Sequence, residues 1–255
     1  WLMLATLPRL MFTPDGIASQ RSLVEDVKQG LLDVLKTLRR LKHYSNIAIY
    51  LLDRMLFNDG MAGVLVFNGV YASGVFGWGT TTMLFLGLVT SGSAMLGAWV
   101  GGLIDDRLGS ITTLKIAIAM TTLILLILVS IDPATLFFVF EVSTEPVWGS
   151  PYVSTVAELA YFAIFQVFAL FFVTGLSASR TLMAKLSPPE MATQFFGLYS
   201  LSGTVTAFLA PLMVATTTAW FQSQRAGFAS LIILMLAGAL GLFWVKEEQA
   251  TVAPD

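Results

Sequence analysis

Arg54, Asn58 and Asp59 sit in an otherwise largely apolar stretch, Tyr50-Leu51-Leu52-Asp53-Arg54-Met55-Leu56-Phe57-Asn58-Asp59-Gly60. Ionisable side chains are costly within a membrane and usually face a bundle interior or a wet cavity. A cation and an anion placed there could bind a charged solute or carry a proton. Arg54 and Asn58 are four residues apart and share a helical face. Asp59 lies about 140° round from Arg54 on an ideal helix, so a direct pair would need local unwinding, which Gly60 and Gly63 would permit. The alternative reading is that Asp53 and Arg54 lie near a membrane boundary and extend their heads to water. Asp59 is the deeper residue and the stronger site expectation.

A second group reads Gly102-Leu103-Ile104-Asp105-Asp106-Arg107-Leu108-Gly109, in a short connection between two apolar stretches. Its glycines allow a tight turn. An aspartate beside a helix N-terminus is favoured by the helix dipole, and an arginine can bridge to a neighbouring helix. Gly102, Asp106, Arg107 and Gly109 are thus expected to form a cytoplasmic gating loop, locked in one conformation and released in the other. A plain turn with solvated charges is the alternative. A third group is Ser177-Ala178-Ser179-Arg180-Thr181, followed by Lys185, Pro188, Pro189 and Glu190. Arg180 could bind a substrate carboxylate, or act only as a topological anchor.

The elements that must hold these groups are membrane helices. Hydrophobic residues make up 56% of the 255 residues and charged residues only 12%, half the share in soluble domains. The mean hydropathy of +0.79 is too high for one soluble core, and the bilayer is the simplest solvent for it. Spans are predicted over about 45–73, 80–104, 111–131, 157–178, 192–217 and 225–245, an all-α membrane protein with six transmembrane helices. Lys and Arg concentrate before the first span, around 107–115, around 180–185 and at Lys246, whereas the 132–156 loop has neither. The positive-inside rule then places both ends in the cytoplasm.

Residues 1–12 are apolar but too short to span, and lack the charged start and cleavage site of a signal peptide. They read as the tail of a preceding span, and the chain as the later part of something longer. Residues 13–43 read as a cytoplasmic linker. Within it Val24, Val27, Leu31, Val34, Leu35, Leu38 and Leu41 form one apolar face of an amphipathic helix, lying on the membrane or packed on protein. The spans occupy 44–247, and 248–255 form a cytoplasmic tail. Trp78, Trp148 and Trp220 at one end and Tyr44 and Trp244 at the other are placed for interfacial belts. Ser93, Gly97 and Gly101 on the second span, and Ala237 and Gly241 on the last, are spaced for close helix packing. Asn68, Gln166, Thr204 and Thr206 are expected to bond between helices.

Several functions are without support. There is no cysteine and the only histidine is His43, so neither a thiolate nor a histidine metal cluster can form. No metal or cofactor is expected. No Ser-His-Asp set, phosphate-cradling loop or catalytic carboxylate pair stands out, so no enzyme is expected. A net charge of -2 gives no nucleic-acid signal.

Gly102-(x)3-Asp106-Arg107-x-Gly109 resembles the loop signature of the major facilitator superfamily, whose members have two six-span halves. Ser110-Ile111-Thr112-Thr113 departs from its usual basic run, which weakens a full charge relay. Arg54-(x)3-Asn58-Asp59-Gly60, Ser179-Arg180-Thr181-Leu182-Met183-Ala184 with Pro188-Pro189, Phe195-Phe196-Gly197-Leu198-Tyr199-Ser200-Leu201-Ser202-Gly203 and Ser223-Gln224-Arg225-Ala226-Gly227 resemble bacterial relatives of the autophagy-related vacuolar amino-acid effluxers. Phe171 to Leu176 stands where that group carries a polar stretch. The resemblance implies a second half in a bacterial inner membrane, with a missing N-terminal six-span half as partner. It implies alternating-access transport of a small solute, with amino-acid efflux in the fungal members. Proton-linked and facilitative transport both stay open. The alternative from another class is a non-transporting scaffold or sensor built on half a transporter.

Overall fold

A computed structural model of the chain describes residues 44–150 and 152–247. The expected span tail (1–12), linker helix (13–43) and C-terminal tail (248–255) lie outside them, as does His43. Seven α-helices run back and forth among the described residues: α1 (Ser45–Phe76), α2 (Thr80–Leu108), α3 (Ser110–Val129), α4 (Val156–Leu186), α5 (Ala192–Ser202), α6 (Leu209–Phe221) and α7 (Gln224–Gly241). Positive φ angles at Gly77, Gly109 and Gln222 turn the chain at the ends of α1, α2 and α6. At the start of α4 the Thr155 hydroxyl accepts from the Glu158 N–H while the Glu158 carboxylate accepts from the Thr155 N–H, satisfying two end groups at once.

Four helices, α2, α3, α4 and α7, are long and apolar enough to cross a membrane. α1 has 32 residues but carries Asp53, Arg54 and Asp59. The expected fifth span is not one helix. It divides into α5 and α6, joined by residues 203–208 in successive turns. The physical reason is legible in hindsight. Gly203 is a poor helix former and Thr204-Val205-Thr206 is β-branched. Pro211 cannot donate to the carbonyl four residues before it, but is tolerated in the first turn of a new helix.

Small residues bring the helices together. A methyl added at Gly238 would lie 2.6 Å from the Phe57 nitrogen and 2.9 Å from the Asp53 carbonyl oxygen, and one at Gly60 would lie 2.7 Å from Met235 Cγ. This is the α1–α7 contact. Gly97 and Gly101 likewise sit against Leu170 and Thr174 of α4, and the Thr174 hydroxyl donates to the Gly97 carbonyl at 2.9 Å. The α2 stripe therefore packs as expected. On α7, Gly241 packs against Asp53 as expected, whereas Ala237 is exposed and Gly238 makes the close contact in its place. Gly238→Ala is expected to destabilise the protein by about 1–3 kcal/mol, because overpacking forces backbone apart. Thermal unfolding in detergent checks this, with Ala237→Gly as the mild comparison.

Of the four polar residues expected to bond between helices, Asn68, Gln166 and Thr206 do. The Tyr161 hydroxyl donates to Asn68 Oδ1 at 2.6 Å, linking α4 to α1. Ser93 donates to Gln166 Oε1 at 3.1 Å, linking α2 to α4. Thr204 instead bonds locally, to the Leu201 carbonyl. Two expected belt aromatics are core residues. Trp78 is buried and donates to Glu158 Oε1 at 2.7 Å, and Tyr44 packs edge-on to Phe195. Trp148, Trp220 and Trp244 are exposed.

Candidate functional site

The interruption between α5 and α6 leaves backbone groups without their usual helical partners. In a continuous helix the Tyr199 carbonyl would accept from the Gly203 N–H. That N–H bonds to the Ser200 carbonyl instead. Arg54 Nη1 fills the vacancy, donating to the Tyr199 carbonyl at 2.7 Å and to the Ser202 hydroxyl at 2.7 Å. On the other side, the Thr206 carbonyl is taken by the Leu209 N–H. The Ala210 N–H is left free and donates to Asp59 Oδ2 at 2.9 Å. The Thr206 hydroxyl between them donates to the Met55 carbonyl at 3.1 Å.

One unbroken helix, α1, thus brackets the break with opposite charges. The guanidinium meets the carbonyl end of α5 and the carboxylate meets the amide end of α6. Both placements follow the helix dipole. Arg54 and Asp59 do not pair with each other and α1 does not unwind, so the expected unwinding at Gly60 is replaced by a break in the facing chain. Both side chains are buried.

Arg54 is further fixed by aromatic and hydroxyl groups. Its guanidinium lies 3.6 Å from the Tyr199 ring centroid. The Tyr199 and Ser179 hydroxyls are 3.1 Å apart. The Tyr50 hydroxyl donates to the Ser179 carbonyl at 2.6 Å and lies 2.7 Å from its hydroxyl. The result is one buried network, Tyr50–Ser179–Tyr199–Arg54–Ser202, across α1, α4 and α5. Gly203 makes room for it, since a methyl there would lie 2.9 Å from Arg54 Nη1.

Asn58 is half-buried on α1 and makes no hydrogen bond among the described residues. Arg180 is exposed, so its neighbour Ser179 is the member of that pair that enters the network. Asp53 does not reach water. It is buried against Gly241, with no hydrogen bond to Oδ2 among the described residues. Tyr50 was not singled out by the sequence. Ser179 lay within the third sequence group without a role of its own, and Tyr199, Ser202 and Gly203 were visible only within a resemblance motif.

Beyond its first turn α6 leans away from α1. A cleft of about 480 Å³ opens between them, lined by Phe67, Val70, Tyr71, Val214, Thr218 and Phe228 among others. The cleft starts beyond Ala210, which packs against Gly63.

Residues 102–108, expected as a loop, form the last turns of α2, and only Gly109 separates that helix from α3. Asp106 and Arg107 are exposed and make no ion pair or hydrogen bond among the described residues. Gly109 turns the chain at φ +81 and Glu247 does the fastening. Its carboxylate accepts from the Ser110 and Ile111 N–H groups at 3.3 and 3.2 Å and from Lys185 Nζ at 2.7 Å. Glu247 therefore ties the start of α3 to the end of α4 and the segment after α7. Partial burial alone would raise its carboxyl, but the bonds from Lys185, Ile111 and Ser110 hold it below the usual carboxylate range. The folded form thus holds a proton less readily than the unfolded chain. Its stabilisation is complete above the ordinary glutamate range and is lost as pH falls through the lowered value. Glu247→Gln is expected to lower the melting temperature near neutral pH and to flatten its fall below about pH 5. A melting series from pH 7 to 3 checks this.

Four apolar helices of spanning length among the described residues define a multi-pass membrane protein. Residues 1–254 match the family described as "Vacuole effluxer Atg22 like", and the chain belongs to that family. It is 24% identical over 217 residues to the "Uncharacterized MFS-type transporter YxiO" of Bacillus subtilis, covering 85% of this chain and 45% of that protein. It is 21% identical over 240 residues to "Autophagy-related protein 22" of Cryptococcus neoformans (strain JEC21), covering 92% of this chain and 41% of that protein. The chain spans less than half the length of these relatives. No solved structure matches.

Proposed function

We propose that the chain is the second half of a small-solute transporter that works by alternating access, with α5 and α6 as its articulated element. The observation that carries this reading is the bracketed break: Arg54 holds the end of α5 and Asp59 holds the start of α6. Turns with bonds to the third residue within a helix mark hinges, and 203–208 is such a run. In this reading Asp59 is the proton or solute-cation site. Protonation or a bound cation would take the charge off the Ala210 N–H and free α6 to swing towards α1, closing the cleft. Arg54 and its network stay fixed and keep α5 as the stationary side.

Membership of the vacuole-effluxer-like family and similarity to an MFS-type transporter support transport. The shortness of the chain against its relatives supports a missing N-terminal half of six spans as its partner. The nearly uncovered surface of α2, with Leu84, Leu88, Met95 and Trp99 exposed, supplies a face for it. Counting α5 and α6 as one broken span gives six in this half. Amino acids are the first solutes to test, in the efflux direction. Placement in a bacterial inner membrane with both ends cytoplasmic, and gating by Asp106 and Arg107 against the missing half, complete the proposal. Counterflow of labelled amino acids by the full-length protein in proteoliposomes tests it. Flux that saturates and requires Asp59 supports it. A protein that binds and moves none of the panel contradicts the amino-acid assignment.

A further inference from the structure

The connection between α3 and α4 ends α3 in a small hairpin, Thr135–Leu136 paired antiparallel with Phe140–Glu141. Its tip, Phe137-Phe138-Val139, and the following Phe140 all point outward: Phe138 is 61% and Val139 73% exposed. Four adjacent exposed apolar side chains, three of them phenylalanine, are not what a water-facing turn selects. The backbone sharpens the point. Phe137 and Phe138 have φ of +53 and +60, a region where three-residue hairpins place glycine or asparagine and where bulky residues are strained. Turn chemistry therefore does not account for the phenylalanines.

The hairpin is also held firmly. The Phe138 N–H donates to the Ser130 carbonyl at 3.2 Å and the Val142 N–H to the Ala134 carbonyl at 2.9 Å. Arg225, at the start of α7, bonds to Asp132 Oδ2 at 2.5 Å and to the Ile131 carbonyl at 3.3 Å. Its guanidinium lies 5.3 Å from the Phe138 ring. The tip is thereby fixed to the ends of α3 and α7, two helices of spanning length. That fixes its level at the membrane boundary, alongside exposed Trp220 and Phe221. The 132–156 connection has no Lys or Arg, and Asp132 is paired, so attraction to anionic headgroups is not its basis.

We propose that residues 137–140 are a lipid-docking tip that buries its side chains at the headgroup–acyl boundary and anchors the α3–α7 end in the bilayer. Aromatic side chains suit that layer, and interfacial apolar surfaces enter it by about 5–10 Å.

These 255 residues contain no cysteine, so a single spin label here has no competitor among them, and any cysteine elsewhere in the full-length protein is first replaced by serine. Val139→Cys and Glu145→Cys are labelled in the full-length protein in phosphatidylcholine vesicles. The label at 139 is expected to be relaxed more by oxygen than by a water-soluble nickel chelate, and the label at 145 the reverse. A label at 139 relaxed chiefly by nickel would overturn the proposal in favour of a water-exposed tip. One that is immobile and reached by neither would overturn it in favour of a protein contact. If Val139→Cys fails to fold, Phe140→Cys reads the same boundary with the same criteria. The measurement needs no transported solute, so it succeeds or fails independently of the proposed function.

Discussion

Replacing Arg54 with glutamine is expected to abolish solute flux and to cost about 2–3 kcal/mol of stability. The estimate takes the upper part of the range for hydrogen bonds to a charged group, together with a desolvated cation–π contact. It is held down because Arg54 Nε is buried and has no partner among the described residues, so removing the charge also relieves a cost. Arg54→Lys is not expected to rescue. An ammonium can reach one acceptor but cannot lie flat on the Tyr199 ring while bonding to both the Tyr199 carbonyl and the Ser202 hydroxyl. Gly203→Ala attacks the same group from the facing side, and is expected to lower flux with a smaller loss of stability. Counterflow and thermal unfolding on the same preparations separate the two effects. Arg54→Gln with wild-type flux would remove Arg54 from the site.

The second large effect belongs to Asp59. Asp59→Ala leaves the Ala210 N–H without its acceptor, and exchange of that buried amide is expected to speed up by about ten- to a hundredfold. That is the equivalent of roughly 1.5–3 kcal/mol for a bond to a charged acceptor. Asp59→Asn retains an acceptor but can neither titrate nor hold a charge. It is expected to keep most of the protection and yet lose the dependence of flux on pH. An Asn variant that transports with a wild-type pH profile would exclude Asp59 as a proton site while leaving its helix-capping role intact.

These two residues show what was legible in the sequence. Arg54 and Asp59 stood out because charges are rare in an apolar helix, and both are at the centre of the site. Their relation was not legible, because it depends on a third element. Periodicity within α1 shows only that they lie on different faces, whereas the break in the facing helix gives each its own partner. That break had a signal in Gly203 and Pro211, eight residues apart, but continuous apolarity across 192–217 masked it. Glu247 was invisible for a different reason. A carboxylate that caps the start of a distant helix leaves no local pattern. In the Ser179–Arg180 pair the sequence drew attention to the charge, whereas the buried member is Ser179 and Arg180 is exposed, as its anchor reading allows. The small-residue stripe on α2 was readable because such packing needs only spacing. On α7 the same logic found Gly241, which packs on Asp53, but chose Ala237, one position from Gly238.

The most direct test of the articulated break is a distance across the cleft. Spin labels at Val70→Cys and Ala219→Cys, both on residues lining it, report the separation of α1 and α6. Labels at Ala48→Cys and Lys246→Cys, beside the Asn46–Lys246 hydrogen bonds at the far end, report a fixed contact. In the full-length protein the first pair is expected to show two separations, with Asp59→Ala shifting the balance towards the shorter. The second pair should keep a single distance throughout. One unchanging separation across the cleft in both wild type and Asp59→Ala would contradict the account: α6 would be a rigid part of the bundle and the break only a kink.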